Sequence, residues 1–204
     1  MAVYVTSDLH LGHRTVATVH RGFPTVEAHD LAILSGIANT LSLGDRLIIC
    51  GDLSSGTHRQ EALALKKIAP LTEFFRIDYI LGNHDTPHPQ NRDALERLPL
   101  FTNVFASVTT AASLRIPGMK GVRLWLSHFP YRGDGDRYSP EDRYPETRLH
   151  DNGTDWLLHG HIHTDQHWTA ARSLHIGPDA WGLKPVPLDT VYSMIHEREK
   201  DFTA

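Results

Sequence analysis

Five times along this chain a short apolar or β-prone run stops at a polar block built from Asp, Asn and His. Asp8-Leu9-His10 follows Val3-Tyr4-Val5-Thr6, and Gly51-Asp52 follows Leu47-Ile48-Ile49-Cys50. Gly82-Asn83-His84-Asp85 follows Ile77-Asp78-Tyr79-Ile80-Leu81, Ser127-His128 closes a run from Val122, and Gly160-His161-Ile162-His163 follows Trp156-Leu157-Leu158-His159. A continuous apolar run of four or five residues reads as a strand buried on both faces, which needs layers on either side of its sheet. Strand, polar loop and helix in alternation predict an α/β sheet, with functional groups outside the carboxyl ends of the strands.

The segments between the blocks agree with that order. From Thr25, an N-cap after Pro24, apolar residues recur at Leu31, Leu34, Ile37, Ala38 and Leu41, and Gly44 stops the helix. Thr57-x-x-Gln60 forms a capping box for a helix running to Ala69, ahead of Pro70. Beyond residue 100 the pattern changes: 104–116 and 122–127 read as strands with little helix between them, predicting a second, more antiparallel sheet packed on the first. Residues 132–152, dense in Arg, Asp, Glu, Tyr, Pro and Gly, read as a long surface loop of the kind that forms lids. Residues 156–159 and 173–176 read as further strands, and Asp189 as the cap of a last short helix through Ile195. No repeat or linker divides the chain, so one domain over 1–204 is expected.

Composition narrows the class. The formal charge is −4, with 40% hydrophobic and 22% charged residues, a balance that excludes disorder, collagen and coiled coil. A single Cys makes no internal disulfide, and Cys50, in an apolar run, is expected to be buried and inert. With no apolar run of membrane length and no basic-then-apolar leader, no membrane association and a cytoplasmic location are expected. The mild acidity argues against a stable nucleic-acid complex, whose affinity would come from Lys and Arg on phosphates. The unusual entry is histidine, 15 of 204 residues.

In extended backbone, residues i and i+2 share a side, so Asp8 with His10, and His161 with His163, can each aim two ligands at one place. The set holds Asp, Asn and His but no Cys, which suits Mn, Fe, Ni, Co or Zn in open sites rather than a structural zinc site. The ordered set Asp-x-His, Gly-Asp, Gly-Asn-His-Asp, His, Gly-His-x-His resembles the calcineurin-like metallophosphoesterase superfamily, and it spans Asp8 to His163. That resemblance implies a four-layer α/β/β/α sandwich with two metal ions. By matching position, Asp8, His10, Asp52 and His163 would hold the first ion, and Asp52, Asn83, His128 and His161 the second. His84 would protonate the leaving oxygen and Asp85 would stand behind it. The roles make chemical sense: two divalent ions about 3.5–4 Å apart acidify a shared water and clamp phosphoryl oxygens. A bridging ligand must be a carboxylate, and an imidazole titrating near neutrality suits a general acid.

Residues outside the motifs receive humbler expectations. His20, His29, His58, His88, His167 and His196 read as solvated surface residues, His159 as packing or support, and Trp125, Trp156 and Trp181 as core or rim aromatics. His13 and Arg14 follow the first motif closely enough to touch a substrate phosphate. In the lid, Arg132, Arg137, Arg143 and Arg148 are expected phosphate binders, and Tyr131 or Tyr138 a platform for a base.

The family pattern also restricts the substrate. The protein phosphatase branch carries Asp-Arg-Gly shortly after its Gly-Asp, whereas here Gly51-Asp52 is followed by Leu53-Ser54-Ser55-Gly56, which disfavours that activity. The chain resembles small bacterial and phage members, so the expectation is a manganese-type dinuclear phosphodiesterase acting on small phosphodiesters, 2′,3′- or 3′,5′-cyclic nucleotides among them. The alternatives are a phosphomonoesterase acting on a nucleotide or small metabolite and a metal-stabilised, non-catalytic scaffold.

Overall fold

The structure, a computed structural model, describes residues 1–137 and 139–203. Strands β1 (Val3–Thr6), β2 (Arg46–Cys50), β3 (Arg76–Ile80) and β4 (Ser107–Thr109) run parallel as neighbours. The second sheet holds β5 (Ala111–Arg115), β6 (Arg123–Ser127), β7 (Trp156–His159), β8 (Trp168–Ala170) and β9 (Ser173–His175) in the order β5-β6-β7-β9-β8. Its pairings are antiparallel at both edges and parallel in the middle. β10 (Val186–Pro187) returns to the first sheet, antiparallel to β1.

Strand alternation divides the interior in two. Leu47 and Ile49 face the first core, where Ile33 and Ile37 of α1 (Val26–Thr40), Leu65 and Ile68 of α2 (His58–Ile68) and Phe101 of α3 (Ala94–Thr102) cover the sheet. Ile48 and Cys50 face the second core, where Val5 and Ile80 meet Leu124, Leu126, Trp156, Leu158 and Leu174 of the other sheet. Val191 and Ile195 of α4 (Leu188–Thr203) enter that same core. The central strands are therefore buried on both faces, and the result is a mixed α/β fold with two sheets flanked by helices.

Both predicted caps form. Thr25 Oγ1 accepts from the backbone N–H of Ala28 at 3.1 Å, and Thr57 Oγ1 from that of Gln60 at 3.3 Å. Other readings need correction. The expected strand over 104–116 breaks at Thr110: β4 belongs to the first sheet and β5 to the second, so this is where the chain crosses between them. α3 escapes periodicity because Pro99 sits inside it, and α4 continues past Ile195. β8, β10 and a π-helical turn at Thr15–His20 are too short to leave a pattern. Trp156 is core, while Trp125 and Trp181 lie at the rim with their indole N–H groups on Asp155 Oδ2 and the His175 carbonyl. Among the described residues, no helix is long and apolar enough to cross a membrane.

Cys50 is fully buried at the end of β2, and burial, reinforced by the Asp8 charge, pushes its thiol far above the ordinary range. The native protein is expected not to react with an aromatic disulfide reagent at pH 8, and to release one equivalent of thiolate when unfolded in guanidinium. Rapid labelling of the native protein would contradict this packing.

Candidate metal centre

The five polar blocks meet because their strands are neighbours: β1, β2 and β3 in one sheet, β6 and β7 in the other. Beyond the strands, the first two loops stay paired, with Asp8 N–H donating to the Gly51 carbonyl at 2.9 Å and His10 N–H to that of Asp52 at 3.0 Å. Two glycines permit the close approach: a Cβ on Gly82 would lie 2.3 Å from Asp52 Oδ1, and one on Gly160 would lie 2.1 Å from Asp8 Oδ2. The backbone is strained where the side chains converge. Asp8, His10, Asp52, His161 and His163 all have left-handed φ values, between 47° and 70°. Each such position costs on the order of 1–3 kcal/mol and persists only where its surroundings enforce it.

The side chains form two groups of electron-pair donors around Asp52. In the first, His10 Nε2 is 3.0 Å from His163 Nε2, 3.6 Å from Asp52 Oδ2 and 3.9 Å from Asp8 Oδ1. His10 donates its Nδ1 proton to the Ser54 carbonyl at 3.0 Å, and burial, with His163 and His84 adding to it, holds its pKa well below normal. The imidazole is thus neutral, with its Nε2 lone pair directed inward. Asp179 Oδ2, 3.3 Å from His163 Nδ1, favours the same tautomer there.

In the second group, His128 Nε2 lies 3.1 Å from Asn83 Oδ1, 3.2 Å from His161 Nδ1 and 3.4 Å from Asp52 Oδ1. His128 donates Nδ1–H to the Cys50 carbonyl at 2.9 Å, and His161 donates Nε2–H to Asp136 Oδ2 at 2.8 Å. In those tautomers the remaining nitrogens face one another, and although burial opposes it, the Asp52 and Asp8 charges raise the His128 pKa, so a proton and a metal ion compete for that ring nitrogen. Facing acceptors at such distances repel, and a cation between them turns that repulsion into coordination. An imidazole whose outer N–H is fixed by a carbonyl or carboxylate is the ligand form that divalent metals take. The residues present therefore fit metal ions, with Asp8, His10 and His163 as one closely spaced group and Asp8, Asp52 and His128 as another.

His84 and Asp85 lie beside these groups. The His84 backbone N–H donates to Asp52 Oδ1 at 2.8 Å, and its ring donates Nδ1–H to the Ser55 carbonyl at 3.0 Å. That leaves Nε2 at the cleft, 3.9 Å from Asp52 Oδ2 on a side chain one-third exposed. Asp85 does not stand behind the ring as expected. Its carboxylate accepts from the backbone N–H groups of Gly82 (2.7 Å), Leu53 (3.0 Å) and Asp52 (3.1 Å) and from Tyr79 Oη (3.0 Å). It braces the Asp52 and Asn83 loops, and the Ser55 carbonyl does the orienting. Burial and the neighbouring Asp52 charge raise the Asp85 pKa to about 7.

A cleft of about 350 Å³ opens over both groups, and His13, Asn83, His84, Arg137 and Arg143 line it. The His13 ring is 5.1 Å from that of His10, whereas Arg14 and Arg132 are exposed and do not line the cleft, contrary to expectation. The lid also departs from the sequence reading. Arg148 is buried, bonded to Asp136 Oδ2 (2.9 Å) and to the carbonyls of Gly135 (2.8 Å) and Arg143 (3.0 Å), so it holds the loop together instead of facing a phosphate. Tyr131 is buried as well and has no face for a base, and Tyr138 lies outside the described residues.

Several residues here carry no motif. Asp136 accepts from His161, Arg143 and Arg148; burial opposes its charge, but these bonds hold its carboxyl far below the usual range. Asp179, beside His163, takes two 2.9 Å bonds from Arg21, whose Nη2 donates also to the Asp8 carbonyl and whose Nη1 reaches His29 Nε2. His29 is thus buried within a polar chain that runs on through Asp30 to Lys67, and His88 is buried too, so neither is the surface residue expected. His20, His58 and His196 are exposed, and His167 stacks on Trp181 at 4.0 Å. The 158 residues separating Arg21 from Asp179 explain why no local signal announces the pair.

A family model described as calcineurin-like phosphoesterase matches residues 1–165. The "Gene 66 protein" of Mycobacterium phage L5 is 38% identical over 206 residues, 96% of each chain, and that of phage D29 is 40% identical over 203 residues, covering 97% of this chain and 98% of that one. A solved structure of a protein of unknown function from Aquifex aeolicus shares the fold with a TM-score of 0.68 at 21% identity, over 95% of this chain and 99% of that one. Matched by the family model over most of its length, with the motif residues gathered at one place, the chain belongs to the calcineurin-like phosphoesterase family of metal-dependent phosphoester hydrolases.

Proposed function

We propose that this protein is a dinuclear metal-dependent phosphodiesterase acting on small phosphodiesters, a class that includes cyclic nucleotides. The observation that carries this reading is Asp52, whose Oδ2 faces the Asp8, His10 and His163 group while its Oδ1 faces the Asn83, His128 and His161 group. In this reading Asp8, His10, Asp52 and His163 hold one divalent ion, and Asp52, Asn83, His128 and His161 hold the other. Manganese is the favoured ion, and the N/O set also accepts iron, nickel, cobalt or zinc. Such ions supply positive charge against phosphoryl oxygens and lower the pKa of water.

The chain's own groups do the rest. His84 Nε2, free at the cleft, donates the proton that the departing alkoxide needs, and the Ser55 carbonyl keeps the ring in that orientation. Arg143, fixed by Asp136 yet 56% exposed, and Arg137 bind the phosphoryl oxygens from the lid side. Asp85 preserves the loop geometry and takes no part in proton transfer to the leaving group.

Metal-stripped protein restored with Mn²⁺ is expected to hydrolyse bis-p-nitrophenyl phosphate in preference to p-nitrophenyl phosphate; a monoester preference would replace this reading with a phosphatase. His84→Ala should bind metal normally while kcat falls by about 10²–10⁴-fold, the usual weight of a general acid. Undiminished turnover would remove His84 from the mechanism. Asp136→Asn should weaken metal binding by about 10–100-fold in a calorimetric titration, because the carboxylate fixing His161 is lost. Asp85→Asn should lower the melting temperature of the metal-free protein, since an amide NH₂ placed among four hydrogen-bond donors leaves at least one of them unsatisfied, at about 1–3 kcal/mol. An unchanged melting temperature would contradict the bracing role.

A further inference from the structure

The metal cleft does not end at the metal ligands. A groove of about 800 Å³ continues from it, and His20, Asp136, Arg137 and His163 line both spaces. Beyond that junction its walls include Phe23, Pro178 and Leu183. Phe23 is half-buried, its ring in edge contact with His29 at 5.4 Å, so its position is set by the buried polar chain behind Asp8. Arg21 and Asp179, which also face the groove, neutralise one another. The groove is therefore mixed in character: Phe23, Pro178 and Leu183 give it an apolar stretch, Thr164 and Asp165 add polar lining, and Arg137 and His20 stand at the mouth beside the metal cleft.

Its placement relative to His84 assigns it a part. The His10 ring lies between the other two, 5.3 Å from that of His84 and 4.8 Å from that of His163. His84 lines the cleft but not the groove, and His163 lines both. A phosphodiester has two ester arms: the one that departs needs its oxygen at the proton donor, and the other stays on phosphorus and must exit elsewhere. With the phosphoryl group over the metal ligands and the departing oxygen at His84, the open course for the retained arm passes His163 into the groove.

We infer that this groove is a subsite for the retained arm of an acyclic phosphodiester, and that the arm it takes is an aromatic, nucleoside-sized group packed on Phe23. Its volume lies within the roughly 300–1,000 Å³ typical of small-molecule sites, far more than a methyl or ethyl arm fills. In a 3′,5′-cyclic nucleotide both ester oxygens belong to one sugar, so the retained arm is tied to the departing oxygen and is held back from the groove by that ring. The inference rests on the phosphodiesterase reading and refines it: diesters whose retained arm is a nucleoside are preferred over those whose retained arm is a small alkyl group.

The test uses two substrates with one leaving group, thymidine 5′-(p-nitrophenyl phosphate) and methyl p-nitrophenyl phosphate, on Mn²⁺-restored full-length protein. Water adds to phosphorus, the phosphorus–oxygen bond to the aryl group breaks, and p-nitrophenol leaves with thymidine 5′-phosphate or methyl phosphate remaining. kcat/KM for the thymidine ester is expected to exceed that for the methyl ester by at least tenfold. Phe23→Ala, which removes the aromatic wall, and Asp165→Trp, which crowds the groove at another of its lining positions, should each reduce that ratio by at least fivefold, mainly through KM. Two variants are used so that poor folding of one, seen as a lowered melting temperature, leaves the other to decide. A wild-type ratio near one, or a ratio unchanged in the folded variants, overturns the subsite while the methyl ester's turnover keeps the phosphodiesterase reading intact. Failure to cleave either ester overturns both.

Discussion

The carboxylate of Asp52 is the point on which the architecture turns. It sits at the end of a strand buried on both faces, with its backbone at a φ of 56°, and its two oxygens face different sets of side chains from two sheets. Nothing in the secondary structure alone would hold an acid there. Asp85 does so from behind, collecting the N–H groups of the Asp52 and Asn83 loops, and the absence of a side chain at Gly82 leaves room for the carboxylate, since a Cβ there would lie 2.3 Å from its Oδ1. Burial, with the neighbouring Asp52 charge adding to it, drives the Asp85 pKa to about 7. In the metal-free protein the centre is an electrostatic liability, and divalent cations remove it.

A second layer of support comes from residues far away in sequence. Each imidazole in the two groups whose outer nitrogen is engaged hands it to a fixed acceptor: Ser54, Cys50, Asp136 or, at 3.3 Å, Asp179. Asp136 ties the centre to the long loop through Arg143 and Arg148, and Asp179 ties it through Arg21 to Asp8 and to the start of α1. The metal-ligand side chains, the long loop and the Arg21–Asp179 pair are thus joined by one continuous set of hydrogen bonds.

Much of this was legible in the sequence, for identifiable reasons. The runs 47–50, 77–81 and 156–159 announced buried strands because they are apolar at consecutive positions, and Thr25 and Thr57 marked helix starts through cap chemistry. The motif residues carry their identity in type and spacing. What stayed hidden is long-range or irregular: the sheet switch at Thr110, α3 interrupted by Pro99, and the pairing of Asp136 with His161 and of Asp179 with Arg21. Arg148 and Tyr131 show the limit most clearly. Composition placed them in a solvent-facing lid, whereas the fold turned them inward as its framework.

The most direct test of the shared carboxylate is the number of ions the protein holds. Equilibrium dialysis of metal-stripped protein against Mn²⁺, followed by elemental analysis, should give two ions per chain, and Asp52→Ala should lose tight binding at both positions together. A single ion in the wild-type protein, or two retained with unchanged affinity in Asp52→Ala, would contradict the account.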